Sequence, residues 1–116
     1  MSNTLQLTIE AAFERRAEIT PSTADAGTRS AIEECIGLLD GGKARIAEQQ
    51  GDSWQVNEWL KKAVLLYFRV SENRIIDAGD ARWYDKVPLK FADQDAAQLR
   101  AGGVRVVPAA RCPAQG

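Results

Sequence analysis

The residues most able to do chemistry lie between positions 77 and 86, where acidic and basic side chains are interleaved. They are Asp77, Asp80, Arg82, Asp85 and Lys86. Such a set could serve acid–base catalysis or hold a cation. Functional groups of this kind are rare compared with surface ion pairs, which contribute little to stability. We therefore interpret the stretch as a solvated loop and predict neither a catalytic residue nor a metal site in this chain.

Other chemistry is limited by the residue types present. The chain has no histidine, which removes the commonest general base and the commonest zinc ligand. Cys35 and Cys112 lie too far apart to form a disulfide framework or a metal-ligand spacing. A reducing cytoplasm is therefore the simplest location. Gly41, Gly42 and Lys43 lack the spacing of a phosphate-binding loop.

Length and composition indicate one ordinary globular domain. The chain has 116 residues, a net charge of −1, 45% apolar residues and 27% charged residues. No basic stripe predicts nucleic-acid binding. No apolar run approaches the roughly 18 residues of a membrane span, and the N-terminal sequence lacks the pattern of a signal peptide. We expect neither a nucleic acid nor a membrane as a partner.

The element that must organise the fold is the segment Glu58–Val70, which holds the densest apolar run. At helical spacing, Trp59, Ala63, Leu66 and Val70 form one stripe, which Leu60, Val64 and Tyr67 widen. Charged residues gather on the opposite side, as in an amphipathic helix. Since one neighbour cannot cover so wide an apolar arc, we predict a central helix packed on at least two sides.

The remaining segments predict an α+β fold of three to four helices with a short β-hairpin and one or two extra strands. The other predicted helices are Thr4–Ala17, a segment from Thr23 or Asp25 to Asp40, and Asp93–Ala101 with Asp93 as its cap. The predicted hairpin joins Lys43–Gln50 to Ser53–Val56, and Arg74–Asp77 is a third strand. Val104–Val107 is predicted to be extended.

The segment Ala78–Lys90 is the least regular, and we predict an ordered loop that packs Trp83, Tyr84 and Leu89 onto the core. Together with Trp54 and Trp59, the first two of these could instead line a ligand groove. Core and loop packing is the simpler explanation of all four aromatic side chains.

Four segments of the sequence carry a specific resemblance to a known protein family. They are AAFERRAEITP (Ala11–Pro21), WLKKAVLLYFRV (Trp59–Val70), YDKVPLKFAD (Tyr84–Asp93) and GVRVVP (Gly103–Pro108). In order and spacing they resemble the N-terminal domain of bacterial tetrahydrodipicolinate N-succinyltransferases, over residues 4–108. The resemblance implies an acyltransferase of lysine and diaminopimelate biosynthesis, with tetrahydrodipicolinate as acceptor and succinyl-CoA as co-substrate.

The resemblance also implies which parts are missing. Members of the family are more than twice as long and continue into a left-handed β-helix of hexapeptide repeats, which forms a homotrimer and carries the catalytic acidic residues. No such repeat occurs in this sequence. We therefore expect no catalytic or coenzyme-binding residue here, and we expect the isolated chain to be inactive.

One substrate contact of the family falls inside the matched region, and it corresponds to Arg105. A guanidinium can pair bidentately with a carboxylate of a dicarboxylic substrate. Strand alternation would place Val104 and Val106 on one face and Arg105 on the other, which equally fits an ordinary surface arginine.

The sequence departs from the family after Pro108. We expect residues 109–116 to be a truncated or frame-shifted end, so that the domain spans 4–108. The alternative functions are a stand-alone binding or assembly module derived from the same domain, and a purely structural domain without a ligand.

Overall fold

The computed structural model describes residues 3–79, 81–108 and 113. Three α-helices form its centre: α1 (Asn3–Glu14), α2 (Ala26–Asp40) and α3 (Glu58–Val70). Helix α3 packs against both α1 and α2, which confirms the prediction of a central helix with two neighbours. Its bounds are also those predicted from the sequence.

The core is the meeting place of the three apolar stripes. Helix α3 buries Trp59, Leu60, Ala63, Leu66 and Val70. The other two helices contribute Leu5, Ile9, Ala12, Ala31, Ile32, Cys35 and Leu39. Each of these side chains follows the three- and four-residue spacing that brings helical residues onto one face. The helical periodicity of Glu58–Val70 therefore predicted correctly the stripe that the central helix buries in the core.

Two antiparallel hairpins flank this helical core. The first pairs β1 (Ala47–Gln50) with β2 (Ser53–Val56) across a turn in which Gly51 has a φ of 61°. The second pairs β3 (Arg74–Ala78) with β4 (Ala81–Asp85), in the register Ile75 opposite Tyr84. The α+β class and the first hairpin are thus confirmed.

Strand β4 corrects the prediction of an irregular loop over Ala78–Lys90. Along β4 half-buried and exposed residues alternate, with Trp83 half-buried and Tyr84 68% exposed. Leu89 is also half-buried, but in the described residues neither Trp83 nor Leu89 is among the side chains that pack against the core, and the packing predicted for Tyr84 is wrong. The packing predicted for Trp54 is also wrong: its side chain is 67% exposed, because all four residues of β2 are exposed on a ribbon that nothing in the described residues covers.

Several boundaries also differ from prediction. Helix α1 ends at Glu14 and a 3₁₀ turn, Arg16–Glu18, follows it. The first strand begins at Ala47 instead of Lys43, because the amides of Lys43 and the next residue donate to the Leu38 carbonyl and close α2. Of the two predicted caps of α2, the structure places Asp25 at the N-cap position.

The segment after β4 is tied to the helices by two lysines. Lys86 Nζ donates to the Phe68 carbonyl at 3.0 Å. Lys90 Nζ donates to the Asp40 carbonyl at 3.0 Å and pairs with the Asp40 carboxylate. Within the described ranges, none of the helices is both long and apolar enough to cross a membrane.

Candidate functional site

Arg105 follows a short helix whose start is firmly fixed. Helix α4 spans Ala96–Gly102. The Asp95 carboxylate accepts from the Gln98 amide at 2.9 Å, and the Gln98 side chain accepts from the Asp95 amide at 2.9 Å. This capping box satisfies two amide donors at the helix start. The cap is therefore Asp95, which corrects the predicted Asp93.

The end of α4 sets the direction of the chain that carries Arg105. Gly103 has a left-handed φ of 67°, which a residue with a Cβ adopts only with strain. Its amide donates to the Arg100 carbonyl at 3.1 Å, and the Val104 amide donates to the Leu99 carbonyl at 3.1 Å. These bonds close the helix as glycine C-caps commonly do. We call the segment that leaves it, Val104–Val107, the arm.

The arm is extended, all its residues are exposed, and it pairs with none of the strands formed by the described residues. Val104 is 39% exposed and Val106 is 40% exposed. The predicted separation into a valine face and an arginine face therefore does not produce a buried face. In the described part of the chain, no hydrogen bond or ion pair engages the Arg105 guanidinium. Its five N–H donors are available to a ligand.

The charged stretch at 77–86 behaves as a surface element. Arg82 Nε donates to the Asp77 carboxylate at 2.8 Å, and both side chains are more than 60% exposed. This pair confirms the prediction of a surface ion pair. Asp85 accepts from the Lys86 amide at 2.7 Å, while Asp80 lies outside the described residues. The described ranges contain no group of three or more Cys, Asp or Glu side chains placed to hold a metal.

Two concave regions were not predicted from the sequence. The first, which we call the basic groove, has a volume of about 580 Å³ and is lined by Phe13, Arg16, Thr20, Pro21, Leu65, Phe68, Arg69 and Lys86. The second is a cavity of about 190 Å³ beside the second hairpin, lined by Phe68, Ile76, Trp83, Asp85, Val87, Leu89 and Pro113. Both need elements that are distant in the sequence, so local patterns could not reveal them.

Fold and arm together define a class of protein. This is a small α+β domain with an extended arm, on which Arg105 is exposed and forms no hydrogen bond or ion pair with any described residue. The chain belongs to the family of tetrahydrodipicolinate N-succinyltransferase N-terminal domains, whose model matches residues 4–70. The family resemblance of the sequence is thereby confirmed.

Relatives extend the match beyond residue 70. The chain is 61% identical over 106 residues to a protein of Aeromonas hydrophila, covering 91% of this chain and 38% of the relative. It is 58% identical over 110 residues to one of Haemophilus influenzae, covering 95% and 40%. Both are named 2,3,4,5-tetrahydropyridine-2,6-dicarboxylate N-succinyltransferase. The chain therefore spans about two-fifths of the length of the curated relatives it matches.

Proposed function

We propose that the chain is the N-terminal domain of an acyltransferase that moves a succinyl group from succinyl-CoA to the nitrogen of tetrahydrodipicolinate, in lysine and diaminopimelate biosynthesis. The support is the 61% identity to a relative whose name states an N-succinyl transfer involving 2,3,4,5-tetrahydropyridine-2,6-dicarboxylate. Since the chain covers 38% of that relative, we propose that the catalytic residues lie in the part that only the relative contains. By itself, the 116-residue chain is then inactive.

Arg105 is the residue that we propose for substrate binding. The relatives' substrate is by name a dicarboxylate, and a guanidinium matches a carboxylate in charge and in bidentate geometry. The observation that carries the proposal is that Arg105, on an arm oriented by Gly103, is exposed and has no partner among the described residues. No ion pair within the described ranges must break before a carboxylate binds.

Assembly and location are part of the same proposal. A homotrimer built by a β-helix would bring a second chain to the arm, and the exposed valines at 104, 106 and 107 give such a neighbour an apolar surface to cover. A cytoplasmic location is supported by Cys35, a fully buried free thiol.

The test is a chimeric enzyme. Residues 4–108 of this chain replace the matching segment of the Aeromonas hydrophila relative, and transfer is followed by release of free coenzyme A. We expect an active chimera. Arg105→Ala should lower kcat/KM for the dicarboxylate by about 10- to 100-fold, the size expected when a charged hydrogen-bonding partner is removed.

Two controls make this result specific. Arg100→Ala removes an exposed arginine from α4 and should leave the kinetics unchanged. Arg105→Lys keeps the charge but loses the bidentate geometry, so it should fall between the parent and the alanine variant. An Arg105→Ala chimera with the parent's kcat/KM would refute the proposed contact. Turnover by the 116-residue chain alone would refute the proposal that the catalytic residues lie in the part that only the relative contains.

A second candidate is a stand-alone assembly module that binds a full-length relative. It is favoured by the large exposed side chains on the two hairpins, above all Trp54 and Tyr84. Co-elution of this chain with the intact Aeromonas hydrophila relative in size-exclusion chromatography would support it. Separate elution at micromolar concentrations would count against it.

A further inference from the structure

The basic groove lies at the C-terminal ends of α1 and α3, and the proposed succinyl transfer gives it no role. Its cations are Arg16 from the 3₁₀ turn, Arg69 from the last turn of α3, and Lys86 from the segment after β4. None of the described residues that line it is acidic. Among the described residues, none of these three cations forms an ion pair. In a chain of net charge −1, the groove is a local concentration of positive charge.

Hydrogen bonds to the backbone hold the three cations in place. Arg16 Nη1 donates to the Phe13 carbonyl at 3.0 Å, and Arg69 Nε donates to the Arg16 carbonyl at 2.7 Å. Lys86 Nζ donates to the Phe68 carbonyl at 3.0 Å. Cations near helix C-termini stabilise the helix dipole, and this accounts for one donor of each side chain. Each arginine has four further N–H donors and the lysine has two.

The Phe13 ring adds a second restraint and a fourth cation. The Arg16 guanidinium lies 4.3 Å from the ring centroid, and Lys62 Nζ lies 5.4 Å from it. Both distances are within cation–π range. A guanidinium held in this way already samples few rotamers. Ligand binding therefore costs less side-chain conformational entropy.

The apolar lining limits the class of ligand. Phe13, Leu65 and Phe68 contribute apolar surface next to the cations, and Leu65 is 42% exposed although it lies on the central helix. An inorganic anion would use only the charges and leave this surface in water. The walls include the exposed residues Arg16, Thr20 and Arg69, so a small molecule would also remain largely solvated. A peptide can cover the length of the groove.

We propose that the basic groove binds an acidic peptide segment of a partner protein, with carboxylates on Arg16, Arg69 and Lys86 and an apolar side chain between Phe13, Leu65 and Phe68. Recognition of acidic motifs by clustered cations is a recurrent mode of peptide binding. The site is independent of Arg105, so either proposal can fail without the other.

The test uses the 116-residue chain and a fluorescein-labelled probe peptide with a Leu-Phe pair between two pairs of glutamates. Fluorescence anisotropy should report saturable binding that weakens with added salt, because screening acts on exposed charges. The double variant Arg16→Glu, Lys86→Glu should bind about tenfold more weakly or worse. The matched control Lys61→Glu, Arg74→Glu makes the same change in net charge at exposed residues outside the groove and should bind within about twofold of the parent.

Two further measurements test where the probe binds and whether its carboxylates are needed. Amide shifts in NMR spectra of the unchanged chain should move at residues 13–21 and 65–69 when the probe is added, which requires no variant to fold. A probe with glutamine in place of glutamate should not bind. Equal weakening in both double variants, absence of binding at millimolar peptide, or equal shifts with inorganic phosphate would each overturn the proposal, the last in favour of a small-anion site.

Discussion

At the scale of single residues, the contact between Thr28 and its neighbours joins the first two helices. Thr28 is 2% exposed and accepts from Arg15 Nη2 at 3.0 Å. A hydrogen bond from the Thr28 side chain is the main cause that lowers the pKa of Asp25, and the positive charge of Arg15 contributes in the same direction. The buried hydroxyl thus connects the charge at the start of α2 to the end of α1.

Replacing Thr28 with valine removes this hydroxyl but keeps the shape of the side chain. We expect the pKa of Asp25 to rise toward its ordinary value, whereas Thr28→Ser should preserve the lowered value. Because the folded pKa lies below the unfolded one, the stability contributed by Asp25 is present above the unfolded pKa and is lost as the pH falls through the folded pKa. NMR titration of the carboxyl carbon measures the shift, and an unchanged titration in Thr28→Val would contradict the assignment.

Cys35 is a second residue whose titration reports its surroundings. Its side chain is fully buried, and burial, together with the charge of Glu34, raises the pKa of its thiol from 9.0 to about 11. The thiol therefore stays protonated at neutral pH and acts as a small apolar group of the core. The corresponding stability is present below about pH 9 and declines as the pH rises toward 11, where the unfolded chain ionises first.

This burial can be measured with an aromatic disulfide reagent at pH 8. A Cys112→Ser variant leaves Cys35 as its one thiol. We expect Cys35 to react slowly in buffer and rapidly in concentrated urea, since the thiolate is the reactive form and the folded chain excludes the reagent. The same variant in urea is its own control for intact chemistry. Fast reaction in buffer would show that α2 opens readily from the core.

At the scale of elements, α3 is the helix that packs against both other long helices, and it buries five residues. Leu66 is fully buried in the core, while Leu65, its neighbour in the chain, is 42% exposed. We expect Leu66→Ala to lower the free energy of unfolding by about 2–5 kcal/mol, because the lost burial adds to the cost of a cavity. Leu65→Ala should cost less than about 1 kcal/mol. Urea unfolding followed by circular dichroism measures both, and equal losses would contradict the orientation of the helix.

Sequence patterns predicted this helix and missed β4 for a physical reason. The apolar spacing of Glu58–Val70 is strong because the core covers several sides of α3. Strand β4 has one half-buried side, and its alternation of Ala81, Trp83 and Asp85 with Arg82 and Tyr84 is weakened by charges on both faces. Because little of the protein covers the half-buried face of this ribbon, its sequence shows only a weak alternation of apolar and polar residues.

Helix α4 and the arm show that local sequence patterns are also too weak to predict a functional residue. The helix was predicted, but its N-cap is Asp95 and not the predicted Asp93. A capping box needs a partner three residues later, and Gln98 lies at that position from Asp95. Nothing in the alternation of the arm separates a substrate contact from a surface arginine. The prediction for Arg105 rests on the family motif GVRVVP, and the structure adds that this guanidinium is exposed and has no partner in the part of the chain that the structure describes.

At the scale of the whole molecule, the core is confined to one part of a flat structure. The radius of gyration is 16.2 Å, and the principal extents are 42 × 41 × 20 Å. A compact chain of this length would have a radius of gyration of about 13 Å. The difference arises because β1, β2 and α4 contain no buried residue, so these elements extend the molecule without adding to its core. Such surfaces are available for contact with other protein parts.

This uneven distribution of burial should appear in hydrogen exchange. We expect the amides of α3 to exchange at rates set by global unfolding, because its inner side chains are fully buried. The amides of the first hairpin should exchange faster by a factor on the order of 100 or more, since a two-stranded ribbon exposed on both faces is marginally stable. Mass spectrometry at several protein concentrations measures both regions in one sample. Protection of β1 and β2 equal to that of α3 at the lowest concentration would contradict the open hairpin, while protection that grows with concentration would identify this ribbon as the surface through which copies of the chain associate.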